Sequence, residues 1–435
     1  MNPFFQRYFN RFRFLAVPPA LFLFFWLHRA HIFAGDGALI ARLTQDGKWL
    51  VKNELLSQAL LQALYQLTQP WHISAMEIMN FTSCTCGVLA VLLLFQLSRE
   101  WQIRHEWPLL FFLSSGFFIY ACGHTEYYPM LLPAMLGYGY AGILFLKHKT
   151  SFTLVLLIFI LAVSLHLAML IALLSLIVLA LSQKHSFHYK KFWPLLLLIP
   201  LFLLREYPQF IGHRAASLSS GWHGLPWFRY EGMGLHYAFF EWKHALDWLY
   251  GLAWRSWIFW PAILVGSYVD GFRSLLRNDR LFLLAYTLPF PAWTTIWHPD
   301  LGMPNDWDLF ALAAAPLLLL ALTYIPTIKK IPFLKYCLLT ALAASTFCNH
   351  GFILKQADFP RQAHGSANII LPKNIESNLT IDSRHKKTAY PRIQEGFHHG
   401  KFINQTHRST KNFYFAVSSR RLTTIHLKAQ KNIPK

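Results

Sequence analysis

Runs of apolar residues long enough to approach or exceed the width of a bilayer recur along the chain up to about residue 350. Hydrophobic residues make up 54% of the sequence and charged residues 14%, whereas a soluble protein carries about a quarter charged residues. The chain therefore lacks the polar surface that a soluble protein needs. This pattern excludes a soluble globular enzyme, a coiled coil and a disordered chain, and it predicts an all-α polytopic membrane protein with about 11 transmembrane helices. The predicted helices cover residues 14–30, 75–97, 107–122, 128–146, 151–164, 167–182, 192–204, 245–266, 281–297, 309–325 and 333–349.

Basic residues between the apolar runs predict the orientation of the chain, because lysine and arginine collect in cytoplasmic loops. A cytoplasmic N-terminus followed by alternating crossings places most basic clusters of the transmembrane region inside. These clusters are Arg7, Arg11, Arg13, Arg99, Arg104, Lys147, Lys149, Lys184, Lys190, Lys191, Arg273, Arg277, Arg280, Lys329, Lys330 and Lys335. The net charge of +20 then indicates contact with membrane lipids, and nucleic acid is not an expected partner.

The predicted organisation is a transmembrane domain over residues 1–349 followed by a basic segment over residues 350–435. Alternation places two long loops, 31–74 and 205–244, and the final segment on the outer side. Short alternating runs near its end favour a small β-containing domain, whereas its polar composition equally favours a partly disordered tail. Both interpretations of this extracytoplasmic appendage stay open.

Ionisable residues collect at four separate positions on the predicted outer face. They are Asp36 in GDG, His124, Glu126 and Tyr127 in GHTEYY, His166 at the tip of a short hairpin, and His298, Asp306 and Asp308 in HPDLGMPNDWDLF. Each has a simple structural explanation, such as a turn, an aromatic belt or a helix cap. Together they are less easily explained, because ionisable groups at membrane level are costly and usually functional. Carboxylates and imidazoles in one place indicate general-base chemistry or a divalent ion site.

Two further segments complete the pattern. Residues 54–67 predict an amphipathic helix lying along the membrane interface, with an apolar face of Leu55, Leu56, Ala59, Leu60 and Ala63. Residues 137–142 (GYGYAG) match the dinucleotide-binding pattern GxGxxG. They lie inside an apolar run with no preceding strand, so close helix packing is the better explanation.

The motifs GDG, GHTEYY and HPDLG…NDWDLF together resemble those of bacterial multi-spanning GT-C-type glycosyltransferases of the predicted mannosyltransferase-like kind. The resemblance covers the organisation of roughly residues 1–350 and implies a GT-C-like fold in the bacterial inner membrane. It also implies a sugar donor linked to polyprenyl phosphate, used on the extracytoplasmic side, and a glycan, lipid or protein as acceptor. Transfer is expected to invert the anomeric centre.

The resemblance also implies roles for individual residues. Asp36 is the expected general base for the acceptor hydroxyl, while Glu126, Asp306 and Asp308 orient the acceptor or a metal. His124, His166 or Arg42 face the donor phosphate, and Tyr127 and His298 lie at the substrate. Gly37 stands where the family often carries a second acid. Whether a divalent cation, Mg²⁺ or Mn²⁺, takes part is therefore left open.

Two other functions remain as alternatives. An O-antigen polymerase or ligase relies on arginines of a large outer loop, and Arg205, Arg214 and Arg229 lie in such a loop here. A lipid or solute transporter places ionisable residues at the bilayer midplane and often contains internal repeats. Arg255 is the plain mid-span charge of this sequence, and no repeat is visible.

Overall fold

The computed structural model describes residues 16–31, 37–47, 54–182, 239–296 and 311–364. These residues are helical and contain no strand, so the predicted all-α class is confirmed for this part of the chain. The described residues up to Phe359 belong to one compact unit, and the helix end from Pro360 onward belongs to a second. The predicted span 192–204 and the predicted site residues Asp36, His298, Asp306 and Asp308 lie outside the described residues.

The described helices are numbered here in chain order. They are α1 Ala16–Leu27, α2 Gly37–Gln45, α3 Leu55–Thr68, α4 Ala75–Glu100, α5 Glu106–Leu113, α6 Phe117–Ala121, α7 Tyr128–Leu146, α8 Phe152–Leu165, α9 Leu173–Ser182, α10 Trp242–Ser256, α11 Phe259–Asp270, α12 Asn278–Thr287, α13 Pro289–Ile296, α14 Ala314–Leu322, α15 Ile325–Ile328 and α16 Pro332–His364. Short 3₁₀ turns at Gln69–Trp71, Leu167–Ala172 and Phe272–Leu276 join neighbouring helices.

Two of the described helices, α4 and α7, are long and apolar enough to cross a membrane by themselves. Several other predicted spans are divided into shorter helices. The segment 107–122 is interrupted between α5 and α6, 245–266 between α10 and α11, and 281–297 before Pro289. In the opposite direction, the last apolar run continues past residue 349 as one helix to His364.

The break between α5 and α6 is stabilised by polar side chains of α16. Ser345 Oγ donates to the Ser114 carbonyl at 2.7 Å, and Asn349 Nδ2 donates to the Leu113 and Ser115 carbonyls at 3.2 and 3.0 Å. Interrupting a helix exposes backbone carbonyls, which are costly to bury without a donor. The two side chains therefore allow the chain to unwind inside an apolar bundle.

The GYGYAG segment lies in α7 and packs against two other helices. A Cβ on Gly139 would overlap Leu319 of α14, and one on Gly142 would overlap the ring of Phe282 in α12. The glycines thus permit close helix approach, and the interpretation of this motif as a packing element is confirmed.

Contacts between α7 and α12 fix their relative direction. Phe282 lies at Gly142, while Tyr286, one turn later in α12, donates to the Met135 carbonyl at 3.1 Å, two turns earlier in α7. The two helices are therefore antiparallel, and the end of α7 and the start of α12 lie at the same end of the bundle.

Basic residues are collected at that end, which we call the basic end. Lys147 and Lys149, after α7, lie 3.3 and 2.7 Å from Glu100 Oε2 at the end of α4. On the α12 side, Arg280 Nη2 lies 2.8 Å from Asp270 Oδ2. The other carboxylate oxygen of Asp270, Oδ1, accepts from Thr327 Oγ1 at 2.8 Å. Clusters that the charge pattern assigns to one side of a membrane thus meet at one end of the helices.

Apolar side chains cover outward faces of several helices. Leu154, Leu157 and Leu161 follow helical spacing along α8 and are exposed, and Phe347 of α16 is 79% exposed. In helix α3, polar Ser57 is among the buried side chains, whereas apolar Leu60 points outward. Contiguous apolar surface of this kind favours contact with lipid over water.

Labelling of introduced cysteines tests whether the two ends of the bundle face opposite compartments. In a background with exposed Cys337 and Cys348 changed to serine, Gln69→Cys is expected to react with a membrane-impermeant maleimide in intact cells. Asn278→Cys, exposed at the basic end, is expected to react only after permeabilisation. Equal reactivity of both in intact cells contradicts the arrangement, and the reverse pattern inverts it.

Replacement of Asp270 by asparagine tests the ion pair at the basic end. Burial alone would raise the pKa of Asp270, but hydrogen bonds from Arg280 and Thr327, together with the charges of Arg280 and Arg277, hold that pKa below its usual value. Asp270→Asn leaves buried Arg280 without its counter-charge, so we expect a loss of about 1.5–3 kcal/mol in thermal unfolding in detergent.

The stability difference depends on pH in a defined direction. Because the folded pKa of Asp270 is depressed, its contribution is present above about pH 4 and is lost as the pH falls through the folded pKa. The control is Glu106→Gln, which removes a solvent-exposed pair with Arg104 and is expected to cost much less stability than Asp270→Asn, because solvent screens exposed ion pairs. Equal stability of Asp270→Asn and wild type at neutral pH would show that the pair contributes nothing.

Candidate functional site

The segment Cys122–Tyr127, between α6 and α7, organises the end of the bundle opposite the basic end. The Ala30 amide, just after α1, donates to the Cys122 carbonyl at 2.9 Å, and Asn80 Nδ2 of α4 donates to the Ala30 carbonyl at 3.1 Å. Gly123 has a positive φ of 76°, which glycine adopts without strain, and a Cβ there would lie 2.7 Å from that of Arg29. The exit of α1 is thereby held against the GHTEYY motif.

The start of α2 packs on the same segment. A Cβ on Gly37 would overlap the Thr125 carbonyl oxygen and would lie 2.5 Å from Thr125 Oγ1. Gly37 directly follows Asp36, so the structure brings the end of the GDG motif against the GHTEYY motif, although Asp36 itself lies outside the described residues. The close contact also gives a steric reason why position 37 carries no second acid.

A row of aromatic and imidazole rings extends from this segment to His166, at the tip of the hairpin that α8 begins. The ring of buried His124 is 5.2 Å from that of Tyr120, which stacks on Tyr128 at 6.4 Å, and Tyr128 is 5.2 Å from His166. Two motifs far apart in the sequence therefore meet through packed rings. We call these four residues the aromatic row.

His166 has one ring nitrogen committed to the backbone. It ends α8 in an extended conformation, with φ −158° and ψ 124°, and its Nδ1 accepts from the Ala168 amide at 3.0 Å. An accepting Nδ1 assigns the proton of a neutral ring to Nε2. Nε2 lies 3.1 Å from Oε1 of Glu54.

Glu54 is a functional candidate that the sequence analysis missed. It precedes α3 and is 9% exposed, yet its side chain makes no capping hydrogen bond to that helix. Ser57, one turn later, donates to the Leu165 carbonyl at 2.9 Å and ties α3 to the hairpin. The available signal was an acid at the start of a predicted interfacial helix, but such acids commonly serve helix N-termini in solvent.

The predicted site residues are distributed unevenly among the described regions. His124 and His166 are buried members of the aromatic row. Tyr127 is buried in the segment that carries His124, and Glu126 is partly buried in the same segment. Arg42 lies on the exposed side of α2, away from buried Ile40, Ala41 and Thr44. The structure thus brings the GHTEYY segment and His166 together with Gly37, the residue after Asp36. The fourth predicted position, HPDLGMPNDWDLF, lies outside the described residues.

This end of the bundle carries an imidazole with a lowered pKa and, among the described residues, no cluster of metal ligands. Partial burial, followed by the nearby charge of Arg29, lowers the pKa of His31 at the exit of α1, so its ring is neutral at pH 7. Within the described ranges, no group of three or more His, Cys, Asp or Glu side chains could hold a metal ion. A divalent cation, whose participation the sequence left open, therefore gains no ligand set from these residues, and any such set would need acids outside them.

Comparison of the chain with protein-family models, with curated proteins and with solved structures finds no match.

Replacement of Gly37 by alanine tests the contact between the first two motifs. The added methyl group overlaps Thr125, so we expect a destabilisation of about 1–3 kcal/mol in thermal unfolding. Gly351→Ala is the control, because a Cβ at that helical position meets nothing within 4 Å. A Gly37→Ala protein as stable as the control would show that the two motifs do not touch.

Proposed function

We propose that the chain is an integral glycosyltransferase of the bacterial inner membrane. In this proposal it transfers a sugar from a polyprenyl-phosphate donor to an extracytoplasmic acceptor, with a GT-C-like architecture of about 11 spans and a cytoplasmic N-terminus. The observation that carries it is the meeting of the GHTEYY segment with Gly37 and the His166 hairpin, opposite the basic end. Carboxyl and imidazole groups then share one region at membrane level.

The outward apolar faces support a lipid environment for this site. Leu154, Leu157 and Leu161 of α8 and Leu60 of α3 all point away from the protein. A lipid-linked donor diffuses in the plane of the membrane, so its enzyme needs a polar site at headgroup depth that is reached from the side. Helix α3 has suitable properties, because it presents an apolar face outward and buries Ser57, Gln58 and Gln62.

The expected chemistry is an inverting displacement. Asp36 takes the proton of the acceptor hydroxyl, whose oxygen attacks the anomeric carbon while the bond to the polyprenyl phosphate breaks. The leaving phosphate gains negative charge and requires a cation or hydrogen-bond donor. His124 and Arg42 remain candidates for that role, since Nδ1 of His166 accepts from the Ala168 amide and its Nε2 lies beside Glu54.

The described core offers little to a transporter. Its buried polar contacts include Tyr138 with Ser175 at 2.8 Å and Ser267 with Tyr324 at 2.8 Å, which are neutral and engaged with each other. Buried Arg280 lies at the basic end, where it is paired with Asp270. A transport pathway usually carries ionisable groups near the midplane.

Asparagine at position 36 tests the proposed base. The test uses purified protein in proteoliposomes, radiolabelled polyprenyl-phosphate hexoses and cell-envelope glycan extracts as acceptors. Asp36→Asn is expected to lower transfer at least about 100-fold, because a positioned general base contributes about 10²–10⁴-fold. Asp46→Asn, an exposed acid at the end of the same outer segment, is the control and is expected to keep its activity. Near-normal transfer by Asp36→Asn removes it as base, and no transfer by wild type from any donor removes the proposed function.

A further inference from the structure

The carboxyl group of Glu54 is buried but only half engaged. Its Oε1 lies 3.1 Å from His166 Nε2, which is ion-pair distance, although the two groups are not aligned for a hydrogen bond. Its Oε2 is fully buried and has no hydrogen-bond partner in the part of the chain that the structure describes. Leaving such an atom without a partner is costly, and more so for a charged group. Glu54 Oε2 is therefore a candidate to bind a group that a ligand supplies.

The surroundings of Glu54 hold it in place. His166 is fixed by its bond to the Ala168 amide, and Ser57 ties the first turn of α3 to the Leu165 carbonyl. The Glu54 side chain is not used to cap α3. Its unpaired oxygen is therefore not a by-product of helix capping. The His166 ring beside its other oxygen cannot turn away without losing the hydrogen bond from the Ala168 amide.

A hydroxyl group is the ligand chemistry that fits. An ionised Glu54 Oε2 would accept a hydrogen bond and a protonated one would donate, and a hydroxyl can do either. A metal ion fits less well, because the described residues supply no third His, Cys, Asp or Glu ligand beside Glu54 and His166. Tyr128, whose ring is 5.2 Å from that of His166, adds an aromatic neighbour of the kind that packs on sugar rings.

We propose that Glu54 and His166 form a sugar subsite in which Glu54 Oε2 binds a hydroxyl group of the substrate and His166 positions the carboxyl group. This inference rests on the proposed function for the class of its ligand. Glu54 is then a second functional carboxylate of this chain in addition to Asp36. It lies at a separate place in the sequence from Gly37, the residue directly after Asp36.

Two variants separate a binding role from a structural one. Glu54→Gln keeps an oxygen for His166 and is nearly isosteric. His166→Asn keeps an acceptor for the Ala168 amide, as asparagine does at helix N-termini, but cannot reach Glu54 in the same way. The control is Glu77→Gln, at an acid outside the site. Glu77 forms a capping box with Ser74, and glutamine can form the same capping box.

The first measurement is the thermal unfolding temperature in detergent, without and with methyl hexopyranosides of mannose, glucose and galactose. A sugar that binds the folded wild-type protein raises its unfolding temperature. We expect at least one of these sugars to do so for wild type and Glu77→Gln, and none to do so for Glu54→Gln or His166→Asn. Without sugar, Glu54→Gln is expected to keep a stability close to that of wild type, because its amide oxygen stays at His166 and its NH2 group takes the place of the unpaired Oε2.

The second measurement is transfer from polyprenyl-phosphate hexose, where Glu54→Gln is expected to reduce kcat/KM about 10–100-fold, as loss of a hydrogen bond to a charged group does. A Glu54→Gln protein that keeps its sugar-induced shift overturns the subsite, and a lower stability of that protein would then show a structural pair. Absence of any sugar-induced shift in wild type overturns it too. A shift that is lost in Glu54→Gln, in a protein without transfer activity, supports the subsite and refutes the proposed function.

Discussion

The hydrogen bonds around Ala30 are the interaction on which the candidate site depends. Ala30 donates to Cys122 and accepts from Asn80, so that the exit of α1, the first turns of α4 and the GHTEYY segment form one unit. Gly123 and Gly37 let neighbouring backbone approach this unit more closely than any larger residue would. Without this anchor, the chain around the first motif would have no fixed position relative to His124 and His166.

Helix α3 shows how the surroundings of a chain change the meaning of an amphipathic pattern. Of the apolar face expected for it, Leu60 points outward and Leu56 packs against the core, while polar Ser57, Gln58 and Gln62 are buried beside Leu61. In water, apolar surface would be removed from solvent before these polar side chains. An exterior in contact with lipid would allow the polar side chains to face inward, where they can line a hydrophilic site.

The helices of this chain were predicted with unequal success, for a physical reason. Residues 128–146 match α7 because Tyr128 and the basic residues after Leu146 bound a single apolar run. The interruption at Ser114 was not foreseen, since its carbonyls are satisfied by Ser345 and Asn349 from more than 200 residues away. Local sequence carries no information about a donor that arrives from a distant helix.

The sequence by itself determined the helical class and indicated the apolar outward faces and the basic clusters between the apolar runs, because these follow from composition and from the order of residues along each run. It also indicated His124 and His166 as polar residues at membrane level. Only the tertiary structure decided that these two histidines meet through Tyr120 and Tyr128, and that Glu54 lies at His166. Which buried carboxyl oxygen lacks a partner depends on how separate helices pack, and no spacing within one helix encodes that.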